Sequence, residues 1–300
     1  MQIAALFGPT GVGKTSVAVA LAQKLRERGE DPVAVSADAL QVYKGLEILT
    51  GVASSTELAL LEHRLISFLA LDQSFSVGRY AQLAHAEIDT LISQNRRPIV
   101  VGGTGLYLRA ALTELDLRPP PVPAVRAQWT AELERHGAQA LHARLAERAP
   151  WAAKEIDASD RQRIVRAMEL LDAGELEPPE GPSQLWTDEV RRPTLLVGLT
   201  MEREALYKRI EGRVQRMLDA GVHEEVLHAE ASGASYSARK ALGFRDLLDG
   251  DVEAMKRRTR NYARRQLTWM RKLAGVHMID LSGRAAEPVA AEIVALLEDS

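Results

Sequence analysis

Residues 8–16 read Gly-Pro-Thr-Gly-Val-Gly-Lys-Thr-Ser. They fit G-x-x-x-x-G-K-[ST], the phosphate-binding P-loop, a signal that is specific only between a strand and a helix. Both flanks are present. Ile3 to Phe7 is a short apolar run that reads as a buried strand. After the loop, Val17, Leu21 and Leu25 recur at four-residue spacing, as one helix face does. Gly8, Gly11 and Gly13 let the backbone turn its N–H groups around an anion, and the helix N-terminus adds its positive end. Gly8, Pro9, Thr10, Gly11, Val12, Gly13, Lys14 and Thr15 are thus the expected phosphate cradle. Lys14 supplies a mobile cation, and the Thr15 hydroxyl can hold Mg²⁺. Such a loop says that polyphosphate binds, not what becomes of it.

The 300 residues suffice for one large or two ordinary domains. A hydrophobic fraction of 46% with 26% charged residues is that of a soluble globular chain. No run of eighteen apolar residues occurs, so no membrane span is expected, and no secretory signal precedes the first strand. With no cysteine there are no disulfides and no thiolate metal sites, which agrees with a cytoplasmic location.

A second strand is expected over 32–36, ending at Asp38, Ala39, Leu40 and Gln41. In an α/β sheet, ligands sit beyond the carboxyl ends of the strands, so Asp38 falls on the same edge as the P-loop. A carboxylate there can be a general base, a Mg²⁺ ligand or a helix N-cap. Periodicity predicts a helix over 79–93, then a strand over 97–101 running into Gly102-Gly103-Thr104-Gly105. That strand lacks the terminal Asp of a Walker-B element, which argues against an ordinary ATPase. Gly102 and Gly103 allow a ligand close to the backbone, and Thr104 offers a hydroxyl; a plain strand–helix turn is the alternative.

Pro119, Pro120, Pro121 and Pro123 form one cluster, and Pro178, Pro179 and Pro182 another. They bracket a piece with helical periodicity, which reads as a helical insertion over 118–184 in an α/β core of 1–117 and 185–300. Gly137 falls between two apolar sets and marks a break or a helix end. Within the piece, Arg161, Arg163 and Arg166 crowd about a turn and a half, as a solvated face or a phosphate contact. Residues 194–199 return as a strand. An amphipathic helix through Leu206, Ile210 and Val214 follows, with Arg209 and Arg213 four apart on one side, able to face the phosphate site or to pair with nearby glutamates. Gly221 closes it. Residues 256–272 carry eight Lys and Arg and no acid, with Tyr262 and Trp269 interleaved. In a chain of net charge −3 this clustering favours RNA, whose unstacked bases stack on rings. A last strand is expected over 276–280 and a closing helix over 288–297.

Taken together, residues 8–16, 36–45, 102–107, 160–169, 209–226, 241–245 and 259–271 resemble the tRNA dimethylallyltransferases of bacterial type over nearly the whole chain. The most specific stretch is Tyr262-Ala263-Arg264-Arg265-Gln266-Leu267-Thr268-Trp269. The resemblance implies an α/β fold: a P-loop NTPase-like parallel sheet with flanking helices and a helical insertion domain. It implies transfer of a dimethylallyl group from dimethylallyl diphosphate to N6 of adenosine 37 in the tRNA anticodon stem-loop, so that the P-loop holds a leaving group. Asp38 would be the general base, with Thr104 and Arg213 catalytic and Mg²⁺, near Thr15, the cofactor. The implied tRNA contacts are Asp38, Ala39, Leu40, Gln41, Thr104, Arg126, Gln162, Arg163, Ile164, Val165, Arg166, Lys240, Gly243, Phe244, Arg245, Arg264, Arg265, Gln266, Thr268, Trp269 and Arg271. A monomer is expected.

The sequence departs from the family's pattern in three places. The usual Asp-Ser is Asp38-Ala39. The usual Ile-Gly-Thr-Ala-Lys-Pro is Ile48-Leu49-Thr50-Gly51-Val52-Ala53, without the lysine, and a usual His-Leu-Ile-Asp ending is His63-Arg64-Leu65-Ile66-Ser67. The zinc finger of eukaryotic relatives is absent with the cysteines. Two other readings of the P-loop are a nucleoside or small-molecule kinase, which gives the basic aromatic stretch no role, and a non-catalytic RNA-binding protein, which leaves Asp38 idle.

Overall fold

Four of the expected strands, over 3–7, 32–36, 97–101 and 194–199, are buried along most of their length, the mark of strands covered on both faces, whereas the fifth, over 276–280, carries His277 and Asp280 and is largely exposed. A computed structural model describing residues 1–118, 122–178 and 183–299 places them in one parallel sheet. The strands are β1 (Ile3–Phe7), β2 (Pro32–Ser36), β3 (His63–Arg64), β4 (Arg97–Gly102), β5 (Thr194–Thr200) and β6 (Val276–Asp280). Their order is β3-β2-β4-β1-β5-β6. The sequence carries no sign of β3, a two-residue strand that pairs only with Ala34 and Val35. From β1 the chain first builds one side of the sheet and then crosses to the other. The carboxyl end of β1 is therefore where the crossover loops part, the usual place for a ligand.

Helix Lys14–Arg26 packs on the closing helix Ala286–Glu298 over one face of the sheet, burying Val17, Leu21 and Leu25 with Val289 and Ile293. On the other face Val77–Ser93 packs with Gly105–Leu112. There Tyr80 is fully buried, stacks 4.7 Å from Tyr107 and donates its hydroxyl proton to the Ser36 carbonyl at 3.0 Å. A further cluster joins Arg203–Asp219, Val222–Ala231 and Phe244–Leu248 to Val42, Tyr43 and Leu46. The long helix Val252–Met270 is capped by the Asp251 side chain, which accepts the Ala254 N–H at 2.8 Å.

The chain divides into two compact units, Met1–Leu115 with Gln184–Ser300, and Asp116–Ser183. The smaller unit is helical. Pro123–Arg148 is interrupted at Gly137, whose φ of 80° is left-handed, so the expected break is real. With Pro150–Glu155 and Arg161–Asp172 it closes a core around Trp129, Leu133, Leu141, Ile164 and Met168. Pro119, Pro120, Pro121, Pro179 and Pro182 lie outside the described residues.

The carboxyl ends of β2 and β4 meet unusually closely. A Cβ at Gly102 would lie within 2.8 Å of the Ala37 carbonyl carbon and nearer still to its oxygen. Gly102→Ala is expected to cost about 2–4 kcal/mol, read as a lower midpoint of urea unfolding; an unchanged midpoint would mean that β2 and β4 separate freely at this end.

Candidate active site at the carboxyl edge of the sheet

The P-loop turns on two left-handed glycines, Gly11 at φ 84° and Gly13 at φ 109°. Gly8 is required for a different reason: a Cβ there would meet the Leu199 carbonyl oxygen at 2.8 Å. The helix that follows has no side-chain cap, and the first-turn N–H groups of Lys14, Thr15 and Ser16 have no acceptor within it. They border a cavity of about 860 Å³ that also takes in Asp38, Gln41, Arg209, Arg213, Tyr262 and Arg265.

The Lys14 ammonium curls back onto its own loop, donating to the carbonyls of Gly8 at 2.9 Å and Pro9 at 3.1 Å. Burial lowers its pKa to about 8; the Arg213 guanidinium acts in the same sense and the Asp38 carboxylate opposes both. Arg213 donates to the Thr50 carbonyl at 3.2 Å and lies so close over Gly51 that a Cβ there would overlap the guanidinium. Arg209 rests against Gly13, 3.0 Å from where a Cβ would stand. The arginine pair thus faces the P-loop, one of the two arrangements its spacing allowed.

The loop that carries Thr50 is itself fixed. Glu225, from Val222–Ala231, accepts the N–H groups of Ile48 and Leu49, each at 2.8 Å, and caps the short helix Glu47–Thr50. Gln41 accepts from the Ser36 hydroxyl at 2.9 Å and donates to the Gly51 carbonyl at 3.0 Å. Glu225 carries no motif in the sequence; its acidic place in the first turn of its own helix is the only signal.

Asp38 begins no helix, which removes its N-cap reading. Its Oδ1 accepts the Leu40 N–H at 2.9 Å in a local turn, and Oδ2 has no hydrogen-bond partner among the described residues. Thr104 opens Gly105–Leu112 without capping it, and its hydroxyl lies 3.3 Å from that of Tyr262. Gly102 and Gly103 both border the cavity, and the chain also needs them bare: a Cβ at Gly103 would collide with the Gln266 amide and come within 3.1 Å of the Gly8 carbonyl oxygen and 3.2 Å of Lys14 Nζ.

The basic stretch is the helix Val252–Met270 with the turn after it. Its outer side exposes Arg264, Thr268 and Arg271, while Arg265, also exposed, stands at the cavity rim over Tyr262. Its inner side differs from expectation at Gln266, only 5% exposed. Gln266 accepts the Thr10 N–H at 2.8 Å and donates to the Gly103 carbonyl at 2.6 Å, so it braces the P-loop at the edge of the cavity rather than standing on the outer basic surface. The Trp269 ring stacks 4.5 Å from Trp186 and fits against Gly105.

Other expected RNA contacts also turn inward. Ile164 and Val165 are core residues of the helical unit, and Phe244 is 1% exposed in the larger one, so their side chains cannot touch a solvent-borne partner. Gly243, at φ 95°, shapes the turn before Phe244–Leu248 over Met255. Arg126 is held by the buried Glu169 at 2.5 and 2.9 Å, and Arg166 reaches the same carboxylate at 3.2 Å. Gln162 and Arg163 are exposed. Lys240 lies 4.4 Å over the exposed Tyr236 ring, and Arg245 pairs with Asp249 at 2.9 Å. Among the described residues no helix is long and apolar enough to cross a membrane.

Lys14 gives a pH test. Because its lowered pKa is about 8, it loses its charge as pH rises through that value, and an anion bound above it must bring a proton in. The affinity for inorganic diphosphate is expected to fall above pH 8 with proton uptake seen by calorimetry in buffers of different ionisation enthalpy. Lys14→Met, measured alongside, should show only the ligand's own ionisation, so the extra fall and the extra proton uptake of the wild type report Lys14.

A family model described as IPP transferase matches residues 41–273. The chain is 40% identical to a tRNA dimethylallyltransferase of Kineococcus radiotolerans, covering 93% of this chain and 90% of that one. It is 39% identical to that of Thermobifida fusca, covering 92% and 89%. The crystal structure of the tRNA isopentenylpyrophosphate transferase of Bacillus halodurans superposes with a TM-score of 0.71 at 31% identity, covering 99% and 96%. A eukaryotic dimethylallyltransferase acting on tRNA, at 21% identity and TM-score 0.74 over 99% of this chain and 80% of that one, shares the fold. A P-loop parallel sheet, a helical unit inserted in its sequence and relatives matched over nearly their whole length agree: the chain belongs to the IPP transferase family.

Proposed function

We propose that this chain transfers a dimethylallyl group from dimethylallyl diphosphate to N6 of adenosine 37 in tRNAs, in the cytoplasm, releasing diphosphate. One observation carries the reading. The cavity joins a phosphate cradle with Lys14 and Arg213 to a carboxylate, Asp38, with an open oxygen, beneath the inner side of a strongly basic helix. A kinase would use the cradle but not the basic helix, and an RNA-binding module would use the helix but not Asp38.

The residue chemistry suits this reaction. N6 attacks C1 of the prenyl group, the C1–O bond breaks, and its electron pair leaves on diphosphate. The loop amides, Lys14 and Arg213 stabilise the charge that grows there. The amine sheds a proton as its bond to carbon forms, and Asp38 Oδ2 takes it. The adenine leaves its stack to reach the cavity. Arg264, Arg265 and Arg271 contact RNA phosphates, while Gln162 and Arg163 of the helical unit offer exposed polar groups of their own.

Magnesium fits as an ion carried mainly by diphosphate. No group of three His, Asp or Glu side chains among the described residues could cage it, whereas the Thr15 hydroxyl borders the cavity as a single oxygen ligand. Bound there, it would neutralise charge on the leaving group.

The test is prenyl transfer from radiolabelled dimethylallyl diphosphate to an anticodon stem-loop with adenosine or guanosine at position 37, and to free AMP. Label on the adenosine stem-loop alone is expected. Label on AMP would move the chain to adenylate prenylation, and ATP turnover without label would favour the kinase. Asp38→Asn should slow transfer by about 10²- to 10⁴-fold with stem-loop affinity kept; transfer near the wild-type rate would remove Asp38 as the base. Separately, neutralising Arg264, Arg265 and Arg271 together should flatten the slope of log affinity against log salt by about 0.7–0.9 for each phosphate that is no longer neutralised. An unchanged slope would make them a solvated face.

A further inference from the structure

The inner side of Val252–Met270 sends two polar side chains, four residues apart, to the turn after β4. Gln266 holds the Gly103 carbonyl, and Tyr262 holds the next residue, Thr104, through a hydroxyl–hydroxyl contact of 3.3 Å. The Tyr262 ring borders the cavity in company with Asp38, and the Arg265 guanidinium covers its face at 5.5 Å. At the head of its helix Thr104 makes no capping bond, the usual local use of such a hydroxyl, so Tyr262 is its partner. A threonine hydroxyl has one proton and two lone pairs on a free rotor. A phenol engaged on one side fixes the rotor and so fixes where the remaining positions point.

Burial, followed by the nearby Asp38 carboxylate, pushes the Tyr262 phenol up to about 12. At neutral pH the phenol therefore keeps its proton and serves as a hydrogen-bonding group rather than as the base. We propose that Tyr262 is a positioning residue of the transfer reaction: its phenol orients the Thr104 hydroxyl, and that hydroxyl holds the exocyclic amine of the adenine in line with Asp38. The proposal rests on the functional reading given above.

Tyr262→Phe keeps the ring, its packing and the Arg265 contact, and removes only the hydroxyl. The expected result is kcat lower by about tenfold, the scale of one hydrogen bond, with the KM for dimethylallyl diphosphate, the stem-loop affinity and the unfolding midpoint all held. A purely structural role would not separate kcat from these. The decisive comparison is a double-mutant cycle. In a Thr104→Ala background Tyr262→Phe should cost nothing further, whereas in Thr104→Ser, which keeps the hydroxyl, the cost should return. Full activity in Tyr262→Phe, a loss confined to KM, or losses that multiply with Thr104→Ala would each overturn the proposal. A wild-type chain that transfers to no acceptor would bring down the functional reading and this proposal together; an active wild type with an equally active Tyr262→Phe would sink only this one.

Discussion

Two hydrogen bonds made by Gln266 hold the site together. They join residues 256 and 163 positions apart in the chain, so that one buried amide fastens the P-loop and the turn after β4 to the long basic helix. An amide suits the place because it offers an acceptor and a donor at once. Thr10 presents an N–H and Gly103 a carbonyl, and a carboxylate or an amine could satisfy only one of them. The bonds also explain Gly103, where any side chain would displace the amide. Because the same helix exposes Arg264 and Thr268 on its other side, the basic surface and the P-loop are fastened to one element.

The positive charge in this piece is arranged for an anion. Lys14 is parked on two carbonyls of its own loop, and Arg213 on that of Thr50, so each cation is solvated by protein dipoles. The arrangement is strained electrostatically, since burial and Arg213 together weaken the proton's hold on Lys14. A polyphosphate bound here would relieve both effects and supply better acceptors than neutral carbonyls, because hydrogen bonds to charged oxygens are roughly twice as strong. Asp38 is the counterweight. Its carboxylate steadies Lys14 and Arg213 while keeping one oxygen open toward the cavity.

Much of this was legible in the sequence because it rests on local rules. The P-loop, its strand and its helix are one continuous signal, and the apolar runs of β1, β2, β4 and β5 and the break at Gly137 follow from periodicity and backbone freedom. Direction was not legible. Tyr262 and Gln266 read as members of a basic, aromatic, RNA-facing stretch, yet they stand at the buried seam with Thr259, Ala263 and Met270. Their spacing from Thr259, three and seven residues, is that of one helix face and was the available signal. Ile164, Val165 and Phe244 were likewise adjacent in sequence to exposed cations but turned into cores. A motif marks a stretch of chain, whereas a helix shows only some of its residues to a partner.

The departures from the family's pattern find a physical setting in the same way. Gly51, in the segment that lacks the lysine, has no Cβ to exclude the Arg213 guanidinium, which occupies that space instead. The missing Walker-B acid has a steric counterpart. At the end of β4, Gly102 is pressed against Ala37 so closely that no side chain fits, and a carboxylate there would have to pry β2 from β4. The carboxylate of this site comes instead from the end of β2, as Asp38, one strand over. A P-loop with its acid moved off the neighbouring strand is not laid out to activate water against a terminal phosphate. In the transfer reaction proposed above, the same layout would hold the diphosphate at one end of the cavity while Asp38 takes the proton at the other.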